Sequence, residues 1–510
     1  MSGHPARQDV GHLAVDLGAG SGRVVFGRLS GSPPELTIAE VHRFEHEPLP
    51  TAAGPVWDLT GIWREVLKGL TLGASAVREA GCRSATVGVD SWAVDGTFVG
   101  PGGELLGLPH AYRDPAHAAA ADAFVARHPG ERADLFRRTG LQHQPFNTIF
   151  QLEARRLRGG PARGASDFLL LPDLLHFWLT GIRTRERTNA STTGLLRAAD
   201  GTWDGELLDA VGAPREAFGP IIEPGTTVGP LLPGLIASCG LPADTRVVAP
   251  ATHDTASAVV GVPIRDDGTA YLSSGTWSLL GLELDGPVLT EEAMRVPFTN
   301  EAGVGGRVRF LKNIAGLWLI QELRRDLERL GERFDFASLA AAAERSEPWR
   351  TLIDPDAADL AAPGDSVAKL RAAAGRAGEP TPDTPGRLAR CCLDSLALAY
   401  ADTVDLLQRV SGREVGPICV VGGGANHDLL NRLTAGATGR RLFVGPTEAT
   451  AIGNLLVQAW GADASGALDE IRDVIARSFP MTEVTPGGAE VPDTAVRTRW
   501  ARVTDAATIE

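Results

Sequence analysis

Two stretches of this chain read alike, and together they constrain its fold more than any other feature. Leu13-Ala14-Val15 ends in Asp16, the chain turns through Leu17-Gly18-Ala19-Gly20-Ser21-Gly22, and Arg23 to Leu29 returns as a second strand. Roughly 255 residues further on, Thr269 to Ser273 leads through Ser274-Gly275-Thr276 into Trp277 to Gly281. Short glycine-bearing turns between apolar runs are hairpins. Two halves that open on the same hairpin predict two domains, residues 1–262 and 263–510. The polar, turn-forming junction Val262 to Gly268 would lie between them. The length of 510 residues agrees, because a single hydrophobic core stops growing well short of it.

The remaining pattern is α/β. A third strand over Glu35 to Phe44 precedes a helix that Asp58 caps and that carries Ile62, Val66, Leu70 and Val77 on one face. Ser84 to Val89 then reads as a buried strand ending in Asp90, with Ser91-Trp92-Ala93-Val94-Asp95 beyond its tip. Ligands of α/β sheets bind at such carboxyl ends. In the second half, helices are predicted from Ile314 and Leu388, and the strand Ile418 to Val421 runs into Gly422-Gly423-Gly424, where backbone can approach a ligand closely. Asp354 to Pro385 reads as an irregular insertion without chemistry, built around one short helix near Val367 to Arg376.

The first glycine turn is not a dinucleotide fingerprint: Arg23 stands where the third glycine would be, and the turn joins two strands instead of opening a helix. It is not a P-loop either, since Lys68, Lys312 and Lys369 are the only lysines and none precedes Ser or Thr. Such a turn can offer backbone N–H groups to a phosphate chain while Asp16 faces a hydrated magnesium ion, or it can be a hairpin with no ligand. Asp254 stands where the strand-like Arg246 to Ala251 gives way to the small, apolar run Thr255 to Gly261. A carboxylate there is the general base of a kinase or simply a helix cap.

A net charge of -14 argues against a nucleic-acid or anionic-membrane surface. The five cysteines show no CxxC spacing, so neither a zinc site nor a disulfide framework is indicated. His42 and His46, four apart in an extended segment, are expected at the surface and not on a shared metal. No apolar run has membrane-spanning length, and Met1 to Gln8 is polar, which predicts a cytoplasmic protein.

The runs Val15 to Arg23, Ala111-Tyr112-Arg113-Asp114, Pro145-Phe146-Asn147-Thr148, Asn189 to Thr193, His253 to Ala258, Tyr271 to Ser278 and Leu311-Lys312-Asn313-Ile314 occur in the order and spacing of one family. They resemble the FGGY carbohydrate kinases of the actin-like ATPase superfamily, over roughly residues 11 to 460. The resemblance implies two ribonuclease H-like domains flanking a catalytic cleft, the first mainly sugar-binding and the second mainly nucleotide-binding. It implies that ATP phosphorylates the 1-hydroxyl of a ketose, with Mg²⁺ as cofactor. Ala19, Gly20, Ser21, Gly22, Arg23, Thr276, Gln321 and Gly423 would contact ATP. Ala93, His253, Asp254, Thr255 and Asn313 would hold the sugar, with Asp254 as proton acceptor and Asp16 facing the metal through water.

Asn313 could instead cap a helix from Ile314, and Gln321 could face solvent. Two positions depart from the family pattern: Ala93 replaces a glycine and Gly96 an aromatic. Partners are thus a small sugar and ATP, with no nucleic acid or membrane, for a monomer or homodimer. A kinase of another ketose or polyol, or a non-enzymatic actin-like ATP switch, are the competing expectations.

Overall fold

The computed structural model describes residues 9–128, 131–159, 164–264, 266 and 268–507. Met1 to Gln8, and Arg265 and Asp267 of the expected junction, lie outside them. The opening strands are β1 (Val10–Leu17), β2 (Ser21–Ser30) and β3 (Glu35–Glu45), followed by the small hairpin of β4 (Pro48–Thr51) and β5 (Gly54–Trp57). Next come β6 (Ser84–Ser91), a ribbon of β7 (Gly96–Val99) with β8 (Asp167–Leu170), and then β9 (Thr227–Pro230) and β10 (Arg246–Val248).

The main sheet has the order β3-β2-β1-β6-β10-β9. β1, β6 and β10 run parallel at its centre, while β2, β3 and β9 are antiparallel. The central strands are continuous apolar runs because both faces are covered; β1 is buried at every residue from Gly11 to Leu17. The helix Leu59–Glu79 covers one face with Ile62, Val66, Leu70 and Val77, and Asp58 caps it by accepting the Gly61 N–H.

A second sheet repeats the plan. β11 (Ala270–Ser274), β12 (Trp277–Leu284), β13 (Thr299–Ala302), β14 (Val308–Ala315), β15 (Ile418–Val421), β16 (Leu442–Val444) and β17 (Thr482–Val484) take the order β13-β14-β12-β11-β15-β16-β17. Here β11, β15 and β16 are the parallel centre, with β12 and β17 antiparallel beside them. The match of β2-β1-β6-β10-β9 to β12-β11-β15-β16-β17 is the duplication that the paired hairpins announced.

The chain forms two compact units, but they are not two contiguous halves. The first unit comprises residues 1–263, 283–310 and 449–478, and the second comprises 264–282, 311–448 and 479–510. The late helix Ala449–Trp460 therefore belongs to the first unit. Its Gln458 donates to the carbonyl of Leu13 in β1 and accepts from Thr86 in β6, and Gly453 and Gly261 leave no room for a Cβ where this helix meets Asp254–Val260. No local signal announces this return, because the contacts span more than 360 residues.

Two local expectations need correction. The helix expected from Ile314 starts at Trp318, because Val308–Ala315 is strand β14. The strand into Ala251 stops at Val248. The helix Ser366–Arg376 forms as expected, and in the segment before it Asp356 accepts from the Ala315 N–H at 2.7 Å and lies 3.6 Å from the Lys312 ammonium.

Beneath β6, the buried His176 accepts the Val89 N–H at 3.1 Å through Nε2, and burial holds its pKa down to about 3. The unfolded chain therefore binds a proton that the folded chain refuses between about pH 6.5 and 3, and this group's contribution to stability falls as pH falls through that window. His176→Gln is expected to destabilise the protein most at pH 8. The deficit should shrink by about 1.4 kcal/mol per pH unit below 6.5, read from urea midpoints; a deficit independent of pH would contradict the assignment.

Candidate active site

The three parallel strands at the centre of the first sheet each end in, or lead directly to, a carboxylate. Asp16 and Asp90 are register partners on β1 and β6. Past the end of β10, Ser91 of β6 donates its N–H to the carbonyl of Thr252 and bridges to His253, which sets Asp254 beside them. Asp254 opens the helix Asp254–Val260 with His253 as its cap residue. The resulting concentration of negative charge shows in the titration of the acids. Asp90 is pushed well above the carboxylate range, first by burial and then by Asp16, and Asp254 is raised by burial as well, with Asp16 adding to it.

Asp254 is not sealed into packing. Its side chain keeps 29% of its surface exposed, whereas Asp90 keeps none. Its Oδ1 accepts from the Thr255 N–H at 2.6 Å and hydroxyl at 3.2 Å, and His253 Nε2 lies 3.4 Å away. That oxygen is occupied, which leaves Oδ2 for an incoming proton. The loop is anchored by the fully buried Glu186, which accepts from the N–H and hydroxyl of both Thr188 and Thr252.

The first glycine turn is closed by the Gly18 N–H donating to the Ser21 carbonyl at 2.9 Å. A side chain at Gly22 would strike Phe44, so that glycine is required by packing, whereas one at Gly20 would meet nothing. Gly20 thus faces open space, while its neighbour Ala19 is partly buried against the core beneath the first sheet. Arg23 does not point away from the acids: its Nε and Nη2 donate to Asp16 Oδ2 at 2.9 and 2.6 Å. Two residues assigned to different ligands from sequence, Asp16 and Arg23, are ion-paired.

Ala93 lies in a tight turn in which the Asp95 N–H donates to the Ala93 carbonyl around Val94 at φ 69°. A β-branched residue in that region is strained, and such strain persists where the surroundings over-determine it. Here the Thr148 hydroxyl holds the Val94 carbonyl at 2.6 Å. Asp95 does the rest: its buried carboxylate accepts from the indoles of Trp57 and Trp92 at 2.6 and 2.9 Å, from Gln151 and from the Tyr112 N–H. Burial raises its pKa to about 6. His46, expected at the surface, instead has its ring 5.3 Å from that of Trp92 and 5.6 Å from that of Trp57, and burial lowers its pKa. The departure at Gly96 is explained by Phe168, whose ring occupies the space that a side chain at 96 would enter.

In the second unit the turn Ser274-Gly275-Thr276 is the organising point. The carbonyls of Gly275 and Thr276 accept from the N–H groups of Leu317 and Trp318 at the start of the helix Trp318–Arg329, which carries Gln321 in its first turn. Gly316 allows this, since a Cβ there would enter the turn's backbone. On its other side, Gly422 at φ 80° and Gly424 pack against Ser274, while Gly423 faces open space. Thr276, Gln321 and Gly423 are thereby gathered on one unit. Asn313 is a half-buried residue of β14 in that same unit and caps no helix. Asp16, Ala19 to Arg23, Ala93, His253, Asp254 and Thr255 belong to the first unit.

Two such sheets, each with a glycine turn after its first strand, make a duplicated α/β fold, and the comparisons with known proteins identify the class as a sugar kinase. The family description "FGGY family of carbohydrate kinases" matches through its N-terminal domain over residues 13–261 and its C-terminal domain over residues 270–462. The chain belongs to the FGGY family of carbohydrate kinases, enzymes that take a small-molecule sugar and ATP. Within it, the chain is 40% identical to a rhamnulokinase of Bacteroides thetaiotaomicron, covering 93% of this chain and 95% of that one. It is 40% identical to one of Enterococcus faecalis, covering 96% of both chains, and 37% identical to one of Bacillus subtilis, covering 93% and 95%. In fold it is similar to xylulose kinase from Rhodospirillum rubrum, with TM-score 0.77, 18% identity and 98% of both chains covered. It is similar also to Plasmodium falciparum glycerol kinase with ADP, with TM-score 0.74, 15% identity and again 98% of both. Among the described residues no helix is long and apolar enough to cross a membrane.

Sequence reasoning passed over Asp90, Asp95 and Glu186 as functional supports, although each lies within or beside a quoted motif. Asp95→Ala would strand two buried indole N–H groups at about 1–3 kcal/mol each. Urea unfolding is expected to show a loss above about 3 kcal/mol with a changed tryptophan emission, and a loss below about 1 kcal/mol would contradict the anchoring role.

Proposed function

We propose that this chain transfers the γ-phosphoryl group of ATP to the 1-hydroxyl of L-rhamnulose, giving L-rhamnulose 1-phosphate and ADP. The single observation that carries the reading is the partly exposed Asp254, whose Oδ1 is held by Thr255 and whose Oδ2 is left open at the carboxyl ends of β6 and β10. The substrate follows from the rhamnulokinase relatives, which match nearly the whole chain.

Phosphoryl transfer passes through a loose transition state, so the protein's work is alignment and charge stabilisation. In this reading Asp254 takes the proton of the attacking hydroxyl through Oδ2. His253, Thr255, Ala93 and Asn313 hold the sugar. The backbone from Ala19 to Gly22, with Arg23, Thr276, Gln321 and Gly423, holds ATP. Residues 1–262 then mainly bind sugar while lending their first glycine turn to the phosphates, and 263–510 mainly bind nucleotide. With ATP as donor, the reaction belongs in the cytoplasm.

The acids fit a hard cation: Asp16 and Asp90 are adjacent, and Asp90 Oδ1 is buried without a hydrogen-bond partner. Among the described residues no three His, Cys, Asp or Glu side chains converge as direct ligands, which favours a magnesium ion held by Asp16 through water. Bound there with ATP, Mg²⁺ would supply charge neutralisation for the transferring phosphoryl group. Ala93 adds a methyl group where the family pattern has glycine, so a sugar slimmer at that edge is the alternative substrate.

Asp254→Asn is expected to leave ATP affinity within about twofold and to lower kcat by at least about 10²-fold. In a coupled ADP assay of the wild type with rhamnulose, fuculose, xylulose and glycerol, rhamnulose should give the highest kcat/KM. Near wild-type activity of the variant, or a preference for another acceptor, would overturn the respective assignment.

A further inference from the structure

Behind His253 lies a buried ion pair between Arg309 and Glu301. Arg309 of β14 is fully buried, and its Nη2 is 3.0 Å from both His253 Nδ1 and Glu301 Oε2. Its Nε donates to the Ala302 carbonyl at 3.1 Å, which fixes the plane of the guanidinium. Glu301, on the neighbouring β13, balances the charge, and its Oε2 is 3.3 Å from His253 Nδ1. Isolated charges are not buried without partners, and this pair is aimed at an imidazole that in turn faces the reaction's carboxylate.

A guanidinium donates hydrogen bonds, never accepts them and does not lose its proton. The hydrogen bond from Arg309 Nη2 therefore requires a lone pair on His253 Nδ1. The ring is then neutral and its proton sits on Nε2, the atom 3.4 Å from Asp254 Oδ1. Without Arg309 the imidazole would stand between two carboxylates, Glu301 and Asp254, and would take up a second proton. An imidazolium would bind Asp254 as an ion pair and weaken it as a proton acceptor.

We propose that Arg309 is a positioning residue for the phosphoryl-transfer base: it holds His253 as the neutral Nε2–H tautomer, and His253 in turn fixes Oδ1 of Asp254 so that Oδ2 meets the sugar hydroxyl. Glu301 keeps the Arg309 charge compatible with burial. The inference rests on Asp254 being the base of the proposed reaction. The remaining charged groups around Asp254 are Asp16 with its partner Arg23, and Asp90, on β1, β2 and β6; the groups at His253 Nδ1 are Arg309 and Glu301, so the tautomer is left to them.

The test combines ring ¹⁵N NMR with steady-state kinetics on the full-length enzyme, with the His253 signals assigned by their loss in His253→Gln. In the wild type at neutral pH, His253 should carry a proton on Nε2 and none on Nδ1. Arg309→Met should add the second ring proton and lower kcat at least about tenfold per folded molecule, with the KM for ATP unchanged. Arg309→Lys, which keeps a buried donor, should restore the neutral ring and most of the lost turnover. A purely structural arginine would instead change the melting temperature and leave the ring spectrum and kcat as they were, which would overturn the proposal. Should Arg309→Met fail to fold, the wild-type spectrum decides, since a proton on Nδ1 refutes the tautomer. The ring spectrum does not depend on which sugar is phosphorylated, so a failure to phosphorylate rhamnulose would strike the proposed reaction and leave this inference standing.

Discussion

The structure depends on one arrangement: three parallel strands whose carboxyl ends bring Asp16, Asp90 and Asp254 within electrostatic reach of one another. Like charges at such range are unfavourable, and the sheet tolerates them only with compensation. Arg23 clamps Asp16 in a two-point ion pair, Asn454 donates to Asp90 at 2.5 Å, and Asp254 is steadied by the N–H and hydroxyl of Thr255. Each acid has a different partner and a different exposure, so each can take a different role. Asp90 is fully buried, Asp16 is clamped by Arg23, and Asp254 alone of the three is partly exposed; under the proposed function they would shape the field, face a hydrated cation and meet the substrate respectively.

Much of this depends on parts of the chain that return from far away. Asn454 and Gln458 come from the helix Ala449–Trp460, and Arg309 and Glu301 from β14 and β13, yet all four belong to the first unit. The duplicated halves are thus interleaved in sequence. The second unit is organised around a single turn, Ser274-Gly275-Thr276, on which Gly316 and the Gly422–Gly424 loop both pack without side chains. Glycine serves two purposes there: Gly422 and Gly424 permit close packing, and Gly423 leaves backbone uncovered.

What could be read from the sequence was what local pattern and order encode. The two hairpins, the Asp58 cap, the strand into Asp90 and the position of Asp254 at a helix start follow from short-range rules, and the structure repeats them. What could not be read was set by tertiary contact. Ile314 looked like a helix start because an Asn precedes it and an apolar helix follows, but β-branched Ile314 completes strand β14 and the helix waits for Gly316 to clear the turn. His46 looked solvent-facing in an extended polar segment, yet it packs near two indoles that Asp95 draws together from either side. Arg309 and Glu301 carry no local mark of burial; they are ordinary charged residues of edge-region strands until the fold pairs them.

The most direct test of the account is a crystal structure of the enzyme with L-rhamnulose and a non-hydrolysable ATP analogue. It should place the 1-hydroxyl within about 3 Å of Asp254 Oδ2, in line with the terminal phosphate. A hydroxyl held out of reach of Asp254, or a terminal phosphate remote from the Asp16 and Asp90 strand ends, would contradict it.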